Sequence, residues 1–212
     1  MATFTESFDQ ADSTTLGPDL TWTQVVGAWE TINGEAALTD TGVNAYARAE
    51  ADTGSADMRV EAVIPMSAVF DGHYVDLQLL ARMDATTYTG YALLRGYWSG
   101  AGGQFVGLRK YVNGAETQIG SPVVLPSAKP ETWRLEVEGS DLRAYRDDVL
   151  ILSGTDTEIT TGTYGGLGGY RSSAARAIRF DSFTVAEPGP TYPGMVYRST
   201  GGVLVEQEFV LG

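Results

Sequence analysis

The densest run of side chains able to do chemistry is Tyr88, Tyr91, Arg95, Tyr97 and Trp98, which precedes the glycine-bearing stretch 99–103. Sugars present apolar C–H faces to aromatic rings and hydroxyls to planar polar groups, so this run is a candidate carbohydrate-binding surface. Tyr91, Arg95 and Tyr97 share parity along a strand and are expected to line one sheet face. Tyr111 and the pair Tyr170-Arg171 are candidates to join them from other strands. The competing reading is structural. Aromatic residues are enriched in strands of every kind, and Trp98 would then cap the core.

Catalysis has less to work with. Glycosidic hydrolysis needs two carboxyl groups at a set separation. The nearest spacings are Glu50-x-Asp52 and Glu136-x-Glu138, and the second reads as solvent-facing charge on an alternating strand. A pair assembled from distant strands stays open. No G-x-S-x-G elbow exists, and His73, in the turn-like segment FDGHYVD, would be the only base. One histidine makes no His pair for zinc. The absence of cysteine excludes disulfides, thiolate nucleophiles and cysteine metal sites. The run GGLGGY (Gly165–Tyr170) lacks the following helix that a phosphate cradle requires. Close backbone packing in a strand explains it better.

The elements that would hold these residues repeat with period two. Met58, Val60, Ala62 and Ile64 share a face opposite Arg59 and Glu61. Trp133, Leu135 and Val137 alternate with Arg134, Glu136 and Glu138. Such alternation marks strands buried on one side. No long stripe of helical period appears, so an all-β fold is predicted. Asn33-Gly34 and Asn113-Gly114 supply the two positive φ angles of a type I′ hairpin turn, and Asp147-Asp148 separates two strands in the same way. Further strands are expected at Thr3–Phe8, Tyr46–Ala49, Tyr74–Arg82, Tyr88–Tyr97, Tyr164–Tyr170 and Ala177–Val185, the spacing of a sandwich. In the last of these, Ile178 and Phe180 have opposite parity to Phe183 and Val185. Either a bulge at Asp181-Ser182 absorbs one residue, or one apolar side chain stays exposed.

Composition narrows the partners. The 212 residues carry 14 basic and 27 acidic side chains, a net charge of −13, which argues against nucleic acid as a partner. No apolar run approaches the ~20 residues of a membrane span. The opening Met1-Ala2-Thr3-Phe4 enters a strand pattern directly, so no signal peptide is expected. After Val185 the composition shifts. EPGPTYPG (187–194) reads as a connector between a body, 1–186, and a tail, 195–212. The tail reads as a hairpin about Gly201-Gly202, with Val203, Val205, Phe209 and Leu211 apolar. An isolated hairpin is marginal in water, so the tail is expected to dock on the body, a second copy or another protein.

Several segments together resemble the concanavalin A-like lectin/glucanase sandwich, in its laminin-G-like branch. FTESFDQADSTTLGPDLTWTQVVGAWETINGEAAL resembles the family's entry, LLARMDATTYTGYALLRG its paired central strands, WRLEVEGSDLRAYRDDVLIL its late hairpin and RFDSFTV its closing strand. The resemblance spans residues 3–186 and implies a jelly-roll β-sandwich, here followed by a C-terminal hairpin extension. The family's hydrolases usually carry Glu-x-Asp-x-Glu on one strand. This sequence has no such string, which points away from an enzyme. Laminin-G-like domains often bind calcium through carboxylate and carbonyl oxygens. The resemblance therefore implies Asp9 and Asp181, on the first and last body strands, as candidate calcium ligands, against plain hydrogen bonding to backbone or solvent. No other cofactor is implied.

The opening and closing segments look most like those of minor tail proteins of phages that infect actinobacteria. That resemblance implies a non-enzymatic structural protein of the virion, assembled in the host cytoplasm. Its tail would contact other virion proteins or itself, and its sandwich would touch host glycans. Head decoration or a fibre protein, or a bacterial glycan-binding or glycan-hydrolysing sandwich, are the alternatives.

Overall fold

The computed structural model describes residues 2–68, 75–98, 103–126, 129–173, 177–188, 198–200 and 203–205, with backbone alone for Trp98, 198–200 and 203–205. Among these residues the regular structure is strand, with no helix. Two antiparallel sheets stack. One has six strands in the order β1 (Thr3–Glu6), β16 (Ser182–Ala186), β6 (Met58–Ile64), β11 (Glu131–Glu138), β12 (Asp141–Arg146) and β13 (Val149–Thr155). The other has seven, in the order β10 (Ala115–Val124), β9 (Gly103–Val112), β8 (Gly90–Trp98), β7 (Val75–Met83), β14 (Tyr164–Arg171), β5 (Asn44–Ala49) and β2 (Trp22–Val26). A three-stranded flank joins β15 (Arg179–Phe180), β4 (Glu35–Leu38) and β3 (Trp29–Ile32).

Alternation drives this layering. Met58, Val60, Ala62 and Ile64 of β6, and Trp133, Leu135 and Val137 of β11, turn inward and are buried. They join Leu77, Leu79 and Ala81 of β7 and Leu93 of β8 in one core. Fully burying one such large side chain stabilises by roughly 1.5–3 kcal/mol. The hairpin turns form where the residue pairs require them. Asn33 and Gly34 have φ of 56° and 74°, Asn113 and Gly114 51° and 83°, and Asp147 and Asp148 50° and 63°.

The parity change near the end of the body is absorbed at Asp181. There the chain leaves β15 in the flank and enters β16 in the six-stranded sheet. Ile178, Phe180, Phe183 and Val185 are all buried as a result. GGLGGY lies in β14, inside the seven-stranded sheet. A Cβ on Gly166 would stand 2.5 Å from the Ala47 carbonyl oxygen, and one on Gly165 2.9 Å from Val185 Cγ2. Close approach between neighbouring backbones explains those glycines. β2 is a strand the period does not reveal, because it is an edge strand with most of its residues exposed.

The entry of the chain is held by Glu6, which is buried. Its Oε1 accepts from the N–H of Phe8 at 3.0 Å, and its Oε2 from the N–H of Leu20 at 2.8 Å and the Trp22 indole at 3.3 Å. A buried carboxylate is tolerated when donors surround it in this way. β1 then pairs with β16, Thr3 opposite Ala186 and Glu6 opposite Phe183, so the first and last body strands are neighbours. In the tail, the backbones of β17 (Arg198–Thr200) and β18 (Val203–Val205) pair antiparallel, Arg198 opposite Val205. Phe209, Leu211, His73 and the stretch 99–102 lie outside the described residues, as do the side chains of Trp98, Val203 and Val205.

Candidate functional site

Tyr91, Arg95 and Tyr97 do share a face of β8, and it is the inner one. Tyr91 belongs to the core, and Tyr97 packs against it. The Tyr91 hydroxyl donates to Asp156 Oδ1 at 2.9 Å and accepts from the Ile159 N–H at 3.1 Å. Arg95 is buried beside Glu131, Nε to Oε1 3.4 Å, and Glu131 also takes Arg146 Nε at 3.3 Å. Burial lowers the pKa of the Arg95 guanidinium, and Glu131 opposes the shift. Such a pair holds its two sheets in register, because removing one partner strands a buried charge. A void of about 10 Å³ beside Arg95 and Trp133 lies between the sheets, room for about one water. Tyr91 and Arg95 therefore brace the interior and present nothing to an outside ligand, while Tyr97 is half-buried against the core.

Tyr88 and Tyr111 lie on the opposite, outer face of the seven-stranded sheet, where Tyr46 of β5 joins them. Tyr46 and Tyr88 stack with ring centroids 3.6 Å apart, and Tyr88 and Tyr111 are 4.6 Å apart. The trio packs with Leu80, Met83 and Ala92 in a second apolar cluster. Burial pushes the Tyr46 hydroxyl up to about 12 and raises those of Tyr88 and Tyr111 as well. All three stay protonated at neutral pH. The Tyr111 hydroxyl donates to Glu116 Oε2 at 3.1 Å, whereas the Tyr88 hydroxyl is buried without a partner.

The same face carries a polar pair that sequence reading passed over. All nine residues of β7 are buried. Val75, Leu77, Leu79 and Ala81 fill the sandwich core, so Asp76, Gln78 and Leu80 point outward. Asp76 is 9% exposed and Gln78 1%. Gln78 Nε2 reaches Asp76 Oδ1 at 3.5 Å, and Gln78 Oε1 has no partner. Burial pushes the Asp76 carboxyl up to about 7; Gln78, the Tyr170 backbone N–H and Arg109 oppose the rise, and Glu116 adds to it. Glycines stand against the pair because the room beside it is already taken. A Cβ on Gly96 of β8 would stand 3.2 Å from Asp76 Cβ, and one on Gly168 of β14 3.2 Å from Gln78 Cβ. Gly107 does the same for Arg109, whose guanidinium lies 2.8 Å from where a Cβ would be. The missed signal was an aspartate and a glutamine at alternate positions of an otherwise apolar strand, VDLQLL.

The carboxylate spacings fall elsewhere. Glu136 and Glu138 stand on the outer side of the six-stranded sheet, paired with Arg134 at 2.9 Å and Arg143 at 3.1 Å. Glu50 holds Arg48 at 2.7 Å, and Asp52 accepts from the Gly54 N–H at 2.8 Å. Among the described residues, no strand of the outer face of the seven-stranded sheet presents two carboxyls at alternate positions. Asp9 and Asp181 are both exposed, near the paired strands β1 and β16. Among the described residues, no group of three or more His, Cys, Asp or Glu side chains is placed to hold a metal. A calcium ion on the two aspartates would need its remaining oxygens from carbonyls and water. Tyr170 and Arg171 end β14. Arg171 Nε donates to the Asp40 carbonyl at 2.8 Å, which ties the strand end to the loop after β4.

Two stacked antiparallel sheets with a flanking third define a jelly-roll sandwich of the lectin and glucanase type. More particularly, its fold is that of the concanavalin A-like sandwiches. Carbohydrate-binding module CBM66 from Bacillus subtilis is similar at 23% identity and TM-score 0.53, covering 77% of this chain and 90% of that one. The Bacillus licheniformis β-glucanase is similar at 13% identity and TM-score 0.59, with 89% and 99% covered. The Emp46p carbohydrate recognition domain, in its metal-free form, is similar at 12% identity and TM-score 0.60, with 79% and 87% covered. The neighbours thus include both enzymes and non-catalytic modules. No family model and no curated protein matches the sequence. Among the described residues no helix is long and apolar enough to cross a membrane.

Proposed function

We propose that the chain is a non-catalytic glycan-binding sandwich that serves as a structural protein of a phage virion, a minor tail protein. The observation that carries the glycan reading is the outer face of β7. A buried amide oxygen without a partner, Gln78 Oε1, sits beside a buried carboxyl, with the Tyr46, Tyr88 and Tyr111 rings on the same face. Buried polar groups are normally paired. A hydroxyl-rich ligand that displaced the side chains over this face would supply the missing donor. The neighbours named as carbohydrate-binding module and carbohydrate recognition domain support the same reading. The virion role rests on the sequence resemblance and on the hairpin that follows the proline-rich connector. The apolar tail residues Val203, Val205, Phe209 and Leu211 would dock on another copy or another virion protein.

A second reading, a glycan hydrolase, has one observation in its favour. Asp76, held near 7, and the ion-paired Glu116 occupy the same face, and acid and base roles arise from carboxyls with separated pKa values. The test has two arms. Calorimetric titration with soluble glycans should give binding without release of reducing ends, and turnover abolished by Asp76→Asn would establish the hydrolase instead. Deleting 188–212 should leave a folded sandwich that no longer associates or enters particles. A truncated body that unfolds would make the tail part of this domain's own core.

A further inference from the structure

We propose that Asn33 is a site of spontaneous deamidation in the folded protein, and that the fold protects its counterpart, Asn113. Both asparagines precede a glycine and both are exposed. Both stand first in a two-residue hairpin turn, with nearly equal φ of 56° and 51°. The reaction is the same at each. Hydroxide takes the proton of the following glycine's N–H. That nitrogen attacks the asparagine Cγ, a new C–N bond closes a succinimide, and the side-chain nitrogen leaves as ammonia. Water then opens the ring at either carbonyl and gives aspartate or isoaspartate. The net change is one water gained and one ammonia lost. Glycine favours the attack because no Cβ crowds its nitrogen.

The two glycines differ in what holds that nitrogen. The Gly114 N–H donates to the Tyr88 carbonyl at 2.8 Å, outside its own hairpin. Among the described residues, no hydrogen bond from outside the hairpin holds the Gly34 N–H. A hydrogen-bonded amide gives up its proton only when the bond opens, and the attack needs the turn to open as well. The ladders behind the turns differ in the same direction. β3 and β4 pair only Trp29–Ile32 with Glu35–Leu38, in the three-stranded flank. β9 and β10 run for ten residues each in the seven-stranded sheet. Opening the shorter hairpin breaks fewer bonds, so its turn opens more often. One contact works the other way. The Asn33 N–H donates to Asp12 Oδ1 at 2.7 Å, and a carboxylate disfavours the amide anion beside it. Asp12 is exposed, so its charge is screened. The Asn113 N–H is likewise held, by Thr89 Oγ1 at 3.0 Å.

The full chain is held at mildly alkaline pH and physiological temperature. Aliquots are digested in acid and mapped by mass spectrometry, which reads the conversion of amide to acid at each asparagine. In the folded protein Asn33 should convert about fivefold or more faster than Asn113, the scale of one net hydrogen bond. In concentrated urea both sites leave the fold, and their rates should come within about twofold of each other. Hydrogen exchange on the folded sample should show the Gly114 N–H protected and the Gly34 N–H unprotected. Equal rates in the folded protein, faster conversion at Asn113, or equal protection of the two glycines would overturn the inference. So would conversion at neither site while both convert in urea. A rate ratio that urea leaves unchanged would overturn it as well, because local sequence and not the fold would then set it.

Discussion

Asp76→Asn should be nearly neutral for stability at pH 5 and stabilising at pH 8. Burial raises the Asp76 carboxyl from 3.8 to about 7 in the folded protein. A raised acid holds its proton more tightly when folded than when unfolded. Its contribution to stability therefore falls as pH rises from about 4 to about 7, and is constant above that. At 1.36 kcal/mol per pH unit the whole window amounts to about 4 kcal/mol, and the part between pH 5 and 7 to about 3. Asparagine has the same shape and no proton to lose. Urea denaturation of both proteins at each pH gives the difference directly, because every other titrating group cancels. The variant should gain about 3 kcal/mol relative to wild type between pH 5 and pH 8, or roughly 6–12 °C in melting temperature for a chain of this size. A difference that stays constant within about 0.5 kcal/mol across that range would refute the claim that Asp76 is buried with too few donors.

Other residues make independent predictions. Glu6→Ala would strip the acceptor from the Phe8 and Leu20 N–H groups and the Trp22 indole. It should cost about 2–4 kcal/mol in urea unfolding, because buried donors lose their partner. Gly165→Ala would place a Cβ 2.9 Å from Val185 Cγ2 and 3.2 Å from Val60 Cγ2, an overpacking expected to cost about 1–3 kcal/mol by the same assay. Adding calcium or a chelator should leave the melting temperature unchanged within about 1 °C. A calcium-dependent rise that Asp181→Asn removes would give Asp9 and Asp181 their ion.

The architecture was legible because its signals are local. Alternation in MRVEAVI and WRLEV, and the pairs Asn33-Gly34, Asn113-Gly114 and Asp147-Asp148, each act over a few residues and need no tertiary context. Parity even located the break at Asp181. The site was less legible because parity assigns residues to a face without saying which face is inside. Tyr91, Arg95 and Tyr97 were grouped correctly and lie inward, since the second sheet packs on that side of β8. Tyr88 and Tyr111 lie on the outer face only because their partner, Tyr46, arrives from β5, far away in sequence. An arginine in a strand usually signals solvent. Arg95 could be placed inside only once Glu131 was known to stand opposite it.

The burial of β7 on both faces argues that its outer face is specified by function. An antiparallel sheet in a sandwich commonly leaves one face wet, and then Asp76 and Gln78 would be ordinary solvent-facing polar residues. Here Gln78 is as buried as the leucines beside it, and Asp76 is nearly so. Leucine or valine at those positions would satisfy the strand, extend the apolar cluster around Leu80 and remove both a raised carboxyl and an unpaired amide oxygen. Stability alone gives no reason to keep them. Departures from local consistency tend to collect where a protein does its work. Gly96 and Gly168 fit the pair closely, since a Cβ on either would stand 3.2 Å from Asp76 Cβ or Gln78 Cβ. Close packing accounts for the glycines, and it does not account for a buried amide oxygen with no donor, so the chemical departure alone is what a function at this face has to explain.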